Sequence, residues 1–395
     1  MRARWIAIAL ASTTAWAAPC AAQDAVPAPT KAAEKAEAAP LWREAVDEAV
    51  LAEMARQELV GVAVGVIREG RVVYTAGYGL ADRENGVPVD AETLFRWASV
   101  SKPVTAIAAM QLVESGELDI QRDIREYVPE FPDKGAPITM EQLLSHQGGI
   151  VHYRNGPVVR TQRMYDEPNP FESVILALDT FAESPLVGQP GERYSYSTHG
   201  FILASAVVER AGGAGFFEQV RERICEPLGL TSLQPDYQWI DIPNRAVGYR
   251  RFAGRIFRST STDGSWKLGG GGFISNIGDF ARFAAAIMNH EMVDEQTSRD
   301  MWTARTDGTG QPTGYGLGLG VSEPRGQLRI AHNGSQEKAR TRLVIYPEQR
   351  HGVVVMCNTQ HADRGALTTA VYRAINAHER EAADARPQNL ESVGP

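Results

Sequence analysis

The spacing of apolar and polar positions changes several times along the chain, and each change marks an element. GVAVGVI (61–67) is an almost unbroken apolar run, followed by a turn at Glu69 and Gly70 and then by RVVYTAGYG (71–79). This pattern predicts two strands joined as a hairpin. Near the other end, QLRIAH (327–332), TRLVIYP (341–347) and GVVVMCN (352–358) also read as strands, the last two separated by the polar turn Glu348 to His351. A helical stretch runs to about Leu59 ahead of the first hairpin, and a final helix is predicted from about Gly365 to Ala383. Strands near both termini around a long middle of helical and loop character predict an α+β fold. One sheet would be closed by the two chain ends, with an inserted helical region at about 116–264.

One further segment breaks the usual amphipathic rule. After Ser99, apolar residues fall on nearly every helical face: Val100, Val104, Ile107, Met110, Leu112 and Val113, with alanines between them. A helix that is apolar all round is buried at the centre of a large protein. Pro103 is tolerated in its first turn and Gly116 ends it. Ser99 is therefore expected at the start of a buried helix, where backbone N–H groups and the helix dipole favour negative charge. Lys102, three residues on, lies on the same face. A serine hydroxyl is a weak nucleophile, and a desolvated lysine can take its proton. The spacing alone decides little, because Ser335 and Lys338 repeat it and serine is a common helix cap.

Composition narrows the field. With 395 residues, 43% of them hydrophobic, the chain can bury a sizeable core. A formal charge of -8, without any run of Lys and Arg, argues against nucleic acid as a partner. Arg2 and Arg4 precede an apolar stretch from Trp5 to Ala18 and small residues near Cys20, the pattern of an export leader over residues 1–22 that is shorter than a membrane span. Its removal takes the charge from -8 to -10. Residues 23–39, rich in Ala, Pro, Lys and Glu, read as a tether, and globular sequence begins near Leu41. Cys225 and Cys357 then remain, and the bland reading is two buried thiols. GxSxG and HExxH are absent, which argues against an α/β-hydrolase triad and a zinc protease. The run at 269–272 (GGGG) suits a close backbone approach beside a site.

Around Ser99 the words FRWASVSKPVTA (95–106) resemble the nucleophile segment of the beta-lactamase-related serine hydrolases, a family that includes class C beta-lactamases, D-alanyl-D-alanine carboxypeptidases and esterases. TMEQLLSHQGGI (139–150), PGERYSYSTHGFILASAVVERAGG (190–213), GGGGFISNIGDFARF (269–283) and HNGS (332–335) follow in the family's order. The resemblance covers about 45–360 and is nearest, at YVPEFP (127–132) and YSTHG (196–200), to a mitochondrial branch. It implies a transpeptidase-like domain over 40–395: an antiparallel sheet flanked by terminal helices (40–115 and 265–395), with a helical subdomain at 116–264. It also implies roles. Ser99 would be the acylated nucleophile, Lys102 its activator and Tyr196 the proton shuttle. His332, Asn333, Gly334 and Ser335 would form the strand element beside the substrate, with an oxyanion hole from the N–H groups of Ser99 and Ser335.

Two departures from the family pattern bear on substrate. Thr198 stands where the tyrosine element usually carries asparagine, and His332 where many members carry lysine. A substrate carboxylate would then depend on Lys338 or Arg340. Tyr153 with Asn155, and His146 with Gly148, spell the same short motifs literally, but the surrounding words favour Tyr196 and His332. The expected function is acyl transfer through an acyl-enzyme on amide, peptide, beta-lactam or ester carbonyls, without metal or organic cofactor. The alternatives are a D-alanyl-D-alanine carboxypeptidase of cell-wall peptides and a non-catalytic scaffold. A small-molecule or peptide acyl substrate and an exported location, periplasmic or secreted, complete the expectation.

Overall fold

A computed structural model of the chain describes residues 30–31, 42–161, 165, 168–260 and 263–384. The leader and most of the tether lie outside the described residues. Within the tether, Thr30–Lys31 pairs antiparallel with Gly77 and Ala76.

The sheet is antiparallel. Its long strands are β1 (Gly61–Arg68), β2 (Arg71–Asp82), β4 (Arg329–Gln336), β5 (Ala339–Tyr346) and β6 (His351–Cys357), with the short β3 (Gly320–Ser322) at one edge. From the Thr30–Lys31 edge the order continues β2, β1, β6, β5, β4, β3, so the N-terminal hairpin meets the C-terminal strands where β1 pairs with β6. β1 is apolar throughout because both of its faces are covered. Val62, Val64 and Val66, with Val353, Val355 and Cys357 of β6, pack under Val46, Val50 and Met54 of α1 (Trp42–Gln57) and Leu367, Val371 and Ile375 of α5 (Arg364–Asp384). The alternate residues Ala63, Ile67, Val354 and Met356 face Ile277, Phe280 and Ala284 of α4 (Ile277–Met288). A Cβ on Gly65 would lie 2.8 Å from that of Ala281, so glycine sets how closely α4 approaches the sheet. α1 and α5 pack against each other, as the terminal patterns predict.

On the far side of α4 lies α2 (Ser101–Glu114), buried on almost every face, against α3 (Thr198–Gly212) and the short glycine helix Leu268–Gly271. The stretch 116–264 is mostly helix and loop but also holds a two-stranded ribbon, Tyr249–Phe252 with Arg255–Arg258, turned by Ala253 (φ 47°) and Gly254 (φ 74°). The apolar pattern did not reveal this ribbon because its outer positions alternate Arg with Phe and bury little. Among the described residues no single helix is long and apolar enough to cross a membrane.

Candidate active site

Ser99 lies in a 3-10 turn, Ala98–Val100, that leads directly into α2. The regular helix therefore begins two residues later than the sequence pattern implies, at Ser101. Three contacts hold this turn in place. Trp97 is fully buried against Phe280 and Phe283 (ring centroids 4.7 and 5.2 Å apart from its own), and its Nε1 donates to Ser275 Oγ at 2.7 Å. The Trp97 N–H donates to Phe273 O at 2.8 Å, and Trp97 O accepts from Thr341 Oγ1 of β5 at 2.7 Å. Ala98, between Trp97 and Ser99, takes a left-handed φ of 50°, a conformation unusual for a residue with a Cβ. Gly334 of β4 makes the approach possible: a Cβ there would fall 1.8 Å from Thr341 Oγ1 and 2.4 Å from Trp97 O.

Lys102 is completely buried. Its Nζ donates to Gly270 O at 2.6 Å and to Thr198 Oγ1 at 3.2 Å, and lies 4.9 Å from the centroid of the Tyr196 ring. Burial, reinforced by the charge of Lys267, holds the ammonium pKa well below the ordinary lysine value. Gly270 reaches the lysine because it has no side chain: a Cβ would lie 2.7 Å from Thr198 Cγ2. Thr105 Oγ1 ties the same helix to Gly269 O at 2.7 Å, so the glycine run makes the close approach its sequence suggests.

Tyr196 and Ser99 border the same cavity. Burial pushes the Tyr196 phenol above the usual tyrosine range, an effect the neighbouring Ser99 hydroxyl partly offsets, so the resting group is a neutral hydroxyl. The ring rests on His146, with centroids 4.2 Å apart. His146 Nδ1 accepts from the Ser197 N–H at 3.1 Å, and burial holds the imidazole neutral. His152 Nδ1 accepts from the Thr198 N–H at 3.2 Å, which helps to fix the start of α3. Tyr153 stands on the rim, 45% exposed and edge-on to Trp266 at 6.0 Å, while Asn155 accepts from the His152 N–H.

The opposite wall is β4. Beyond Ala331 the edge of this strand no longer pairs with β3 and borders a cavity of about 780 Å³ that also contains Ser99, Tyr196 and Thr198. His332 Nε2 meets Tyr315 Oη at 2.9 Å, and burial beside Lys102 pushes its pKa down to about 3. His332 is thus no cation at neutral pH. Asn333 and Ser335, which share the strand face opposite His332, both border the cavity, and the Asn333 side chain accepts from Arg364 Nε at 3.2 Å. Of the two basic residues singled out for a carboxylate, Lys338 lines this cavity, its pKa lowered by burial to about 8. Arg340 does not line it; its Nη1 donates to Gln336 O at 2.7 Å and Ala339 O at 2.9 Å.

Ser99, Lys102, Tyr196, Thr198 and His332 therefore converge, although they come from α2 and the turn before it, α3 and the segment before it, and β4. Sequence reasoning missed Tyr315 under His332, His146 under Tyr196, Lys267 in the cavity wall, and the buried ion pair of Arg96 with Asp236, which Arg245 also joins at 2.9 Å. A usable signal existed for two of these. His146 sits inside a matching block, and Lys267 stands two residues before the glycine run. Among the described residues no cluster of three or more His, Cys, Asp or Glu could hold a metal ion. Cys225 and Cys357 are both buried and free.

Comparison with known proteins places the chain in a family and agrees with its fold. The family profile described as Beta-lactamase matches residues 46–377. The human mitochondrial serine beta-lactamase-like protein LACTB is 28% identical, across 79% of this chain and 73% of its own. Esterase EstB of Burkholderia gladioli is 29% identical, across 67% of this chain and 75% of its own. Among solved structures, EstCE1, a hydrolase with promiscuous acyltransferase activity, superposes with a TM-score of 0.73 at 22% identity, covering 85% of this chain and 98% of its own.

Proposed function

The chain belongs to the beta-lactamase family, and from that premise we propose that it is a serine hydrolase that works through an acyl-enzyme on Ser99. The observation that carries the proposal is Lys102: a fully buried lysine whose hydrogen-bond partners are the neutral acceptors Gly270 O and Thr198 Oγ1. An amine in such a place loses its proton far more readily than in water, which suits it to receive one from a hydroxyl.

In the proposed reaction the Ser99 Oγ–H proton passes to Lys102 Nζ as Oγ bonds to the substrate carbonyl carbon. The oxyanion is held by the backbone N–H groups of Ser99 and Ser335. As the bond from carbonyl carbon to leaving group breaks, Tyr196 gives its hydroxyl proton to the departing oxygen or nitrogen and regains one from Lys102. Water then attacks the ester on Ser99, transferring its proton along the same groups in reverse. Tyr196 acts as a hydroxyl relay, since burial disfavours its phenolate. Substrates are small-molecule or peptide acyl compounds, among them esters, amides, beta-lactams and D-alanyl peptides, with Lys338 facing any anionic group. The leader-like segment Arg2 to Ala22 supports export to the periplasm or beyond.

Intact-protein mass spectrometry after incubation with a p-nitrophenyl ester, a penicillin and a D-alanyl-D-alanine peptide tests the reading. At least one should add an acyl mass that maps to Ser99 and vanishes in Ser99→Ala. An adduct that survives that substitution moves the nucleophile elsewhere, and turnover of none of the three refutes the enzyme.

A further inference from the structure

The ribbon Tyr249–Phe252 and Arg255–Arg258 takes no part in the site described above. Its register pairs Tyr249 with Arg258, Arg250 with Phe257, Arg251 with Ile256 and Phe252 with Arg255. Side chains of antiparallel partners share a face, and faces alternate along each strand. One face therefore carries Tyr249, Arg251, Ile256 and Arg258, and it is the face turned toward the protein. Tyr249 is fully buried, with its hydroxyl on Glu84 at 2.6 Å; Arg251 pairs with Glu58 at 2.7 Å and Arg258 with Asp82 at 3.8 Å.

The other face carries Arg250, Phe252, Arg255 and Phe257. Phe252 is 68% exposed and Phe257 42%, the former the most exposed large apolar side chain of the described residues. Arg250 and Arg255 are also exposed, and neither forms an ion pair among the described residues. Two phenylalanines and two uncompensated guanidinium groups thus share the outer face of a ribbon that no third strand extends. On a chain with a net charge of -8 this local excess of positive charge runs against the whole.

We propose that this face docks the protein onto an anionic phospholipid bilayer. The aromatic rings enter the interface between headgroups and acyl chains while the guanidinium groups stay at headgroup level, where they meet negative charge. A protein partner fits less well. A stable protein interface takes about 800 Å² and about 20–30 residues from each side, whereas this face offers four residues of a two-stranded ribbon. Arg250, Arg251 and Phe252 of the ribbon also line a crevice with Arg340 and His361 that shares Glu337 with the catalytic cavity, so a bilayer held by the ribbon lies beside the substrate entrance.

The test is flotation of the full-length mature protein with vesicles of phosphatidylcholine alone and of phosphatidylcholine mixed with phosphatidylglycerol, at low and at high salt. Binding is expected to the anionic vesicles only and to fall as salt rises. Arg250→Glu with Arg255→Glu should abolish it, each removed arginine alone weakening binding about fivefold, and Phe252→Ser with Phe257→Ser should also release the protein. Ile240→Ser, at an exposed apolar position off the ribbon, should change nothing. The proposal is overturned if the wild type fails to float with anionic vesicles, if it binds neutral vesicles equally well, or if the arginine variants bind like the wild type. It is also overturned if the phenylalanine substitutions instead dissociate an oligomer in sedimentation velocity. Flotation does not require hydrolysis, so this outcome is independent of the proposed activity.

Discussion

Replacing Gly334 by alanine perturbs the approach of β4 to the turn that carries Ser99. A Cβ at that position lies 2.4 Å from Trp97 O, and ordinary contacts begin at 3.4 Å, so either the carbonyl or β4 must retreat by about 1 Å. The same Cβ lies 1.8 Å from Thr341 Oγ1, which must swing away and give up its 2.7 Å bond to that carbonyl. Overpacking costs about 1–3 kcal/mol, and a buried carbonyl left without a donor about 1–3 kcal/mol more. Urea denaturation of Gly334→Ala should therefore show a loss of about 2–6 kcal/mol. Trp97 is two residues from Ser99, and a displacement of about 1 Å at a reacting group lowers the rate by about 100-fold. Labelling of Ser99 by a fluorophosphonate should slow by that order. Thr341→Val removes the donor without adding the clash, so it should carry only the smaller, hydrogen-bond part of both effects. A Gly334→Ala protein with wild-type stability and wild-type labelling would refute the claim that this glycine sets the distance between strand and nucleophile.

Three further outcomes are expected. Asp236→Ala leaves the buried Arg96 guanidinium without its carboxylate, and denaturation should show a loss of about 3–5 kcal/mol; a loss under 1 kcal/mol would mean water reaches Arg96. Thr198→Val removes one of the two acceptors of Lys102 Nζ and should slow acylation by about five- to tenfold, with Thr198→Ser restoring it. His332 titrates at about 3 in the folded chain against 6.5 when unfolded, so as pH falls the unfolded state takes the proton first. Its stabilising contribution is complete above pH 6.5 and is lost progressively toward pH 3, amounting to about 2 kcal/mol between pH 7 and pH 5. His332→Asn should lower the pH dependence of the urea midpoint over that interval, and an unchanged slope would contradict the burial of a neutral imidazole.

Much of the architecture is legible without coordinates, because burial on both faces leaves a mark in composition. β1 and β6 read as continuous apolar runs, the helix after Ser99 is apolar on every side, and Ser99, Lys102 and Tyr196 stand in blocks whose order resembles one family. The chain alone thus determines most of the elements, the sheet made from both termini, and a serine at the turn before a helix that buries a lysine. It does not determine what lies across space from each residue. That the Tyr196 ring lies by Lys102 while Tyr153 stands on the rim, that Tyr315 and His332 meet, that Arg364 holds the Asn333 side chain, and that Lys338 rather than Arg340 lines the cavity all depend on strand alternation and on how closely glycines 270 and 334 let distant backbones approach. Such contacts join residues up to 244 positions apart, as Thr341 joins Trp97, and local periodicity carries no information over that separation; the packed fold alone decides them.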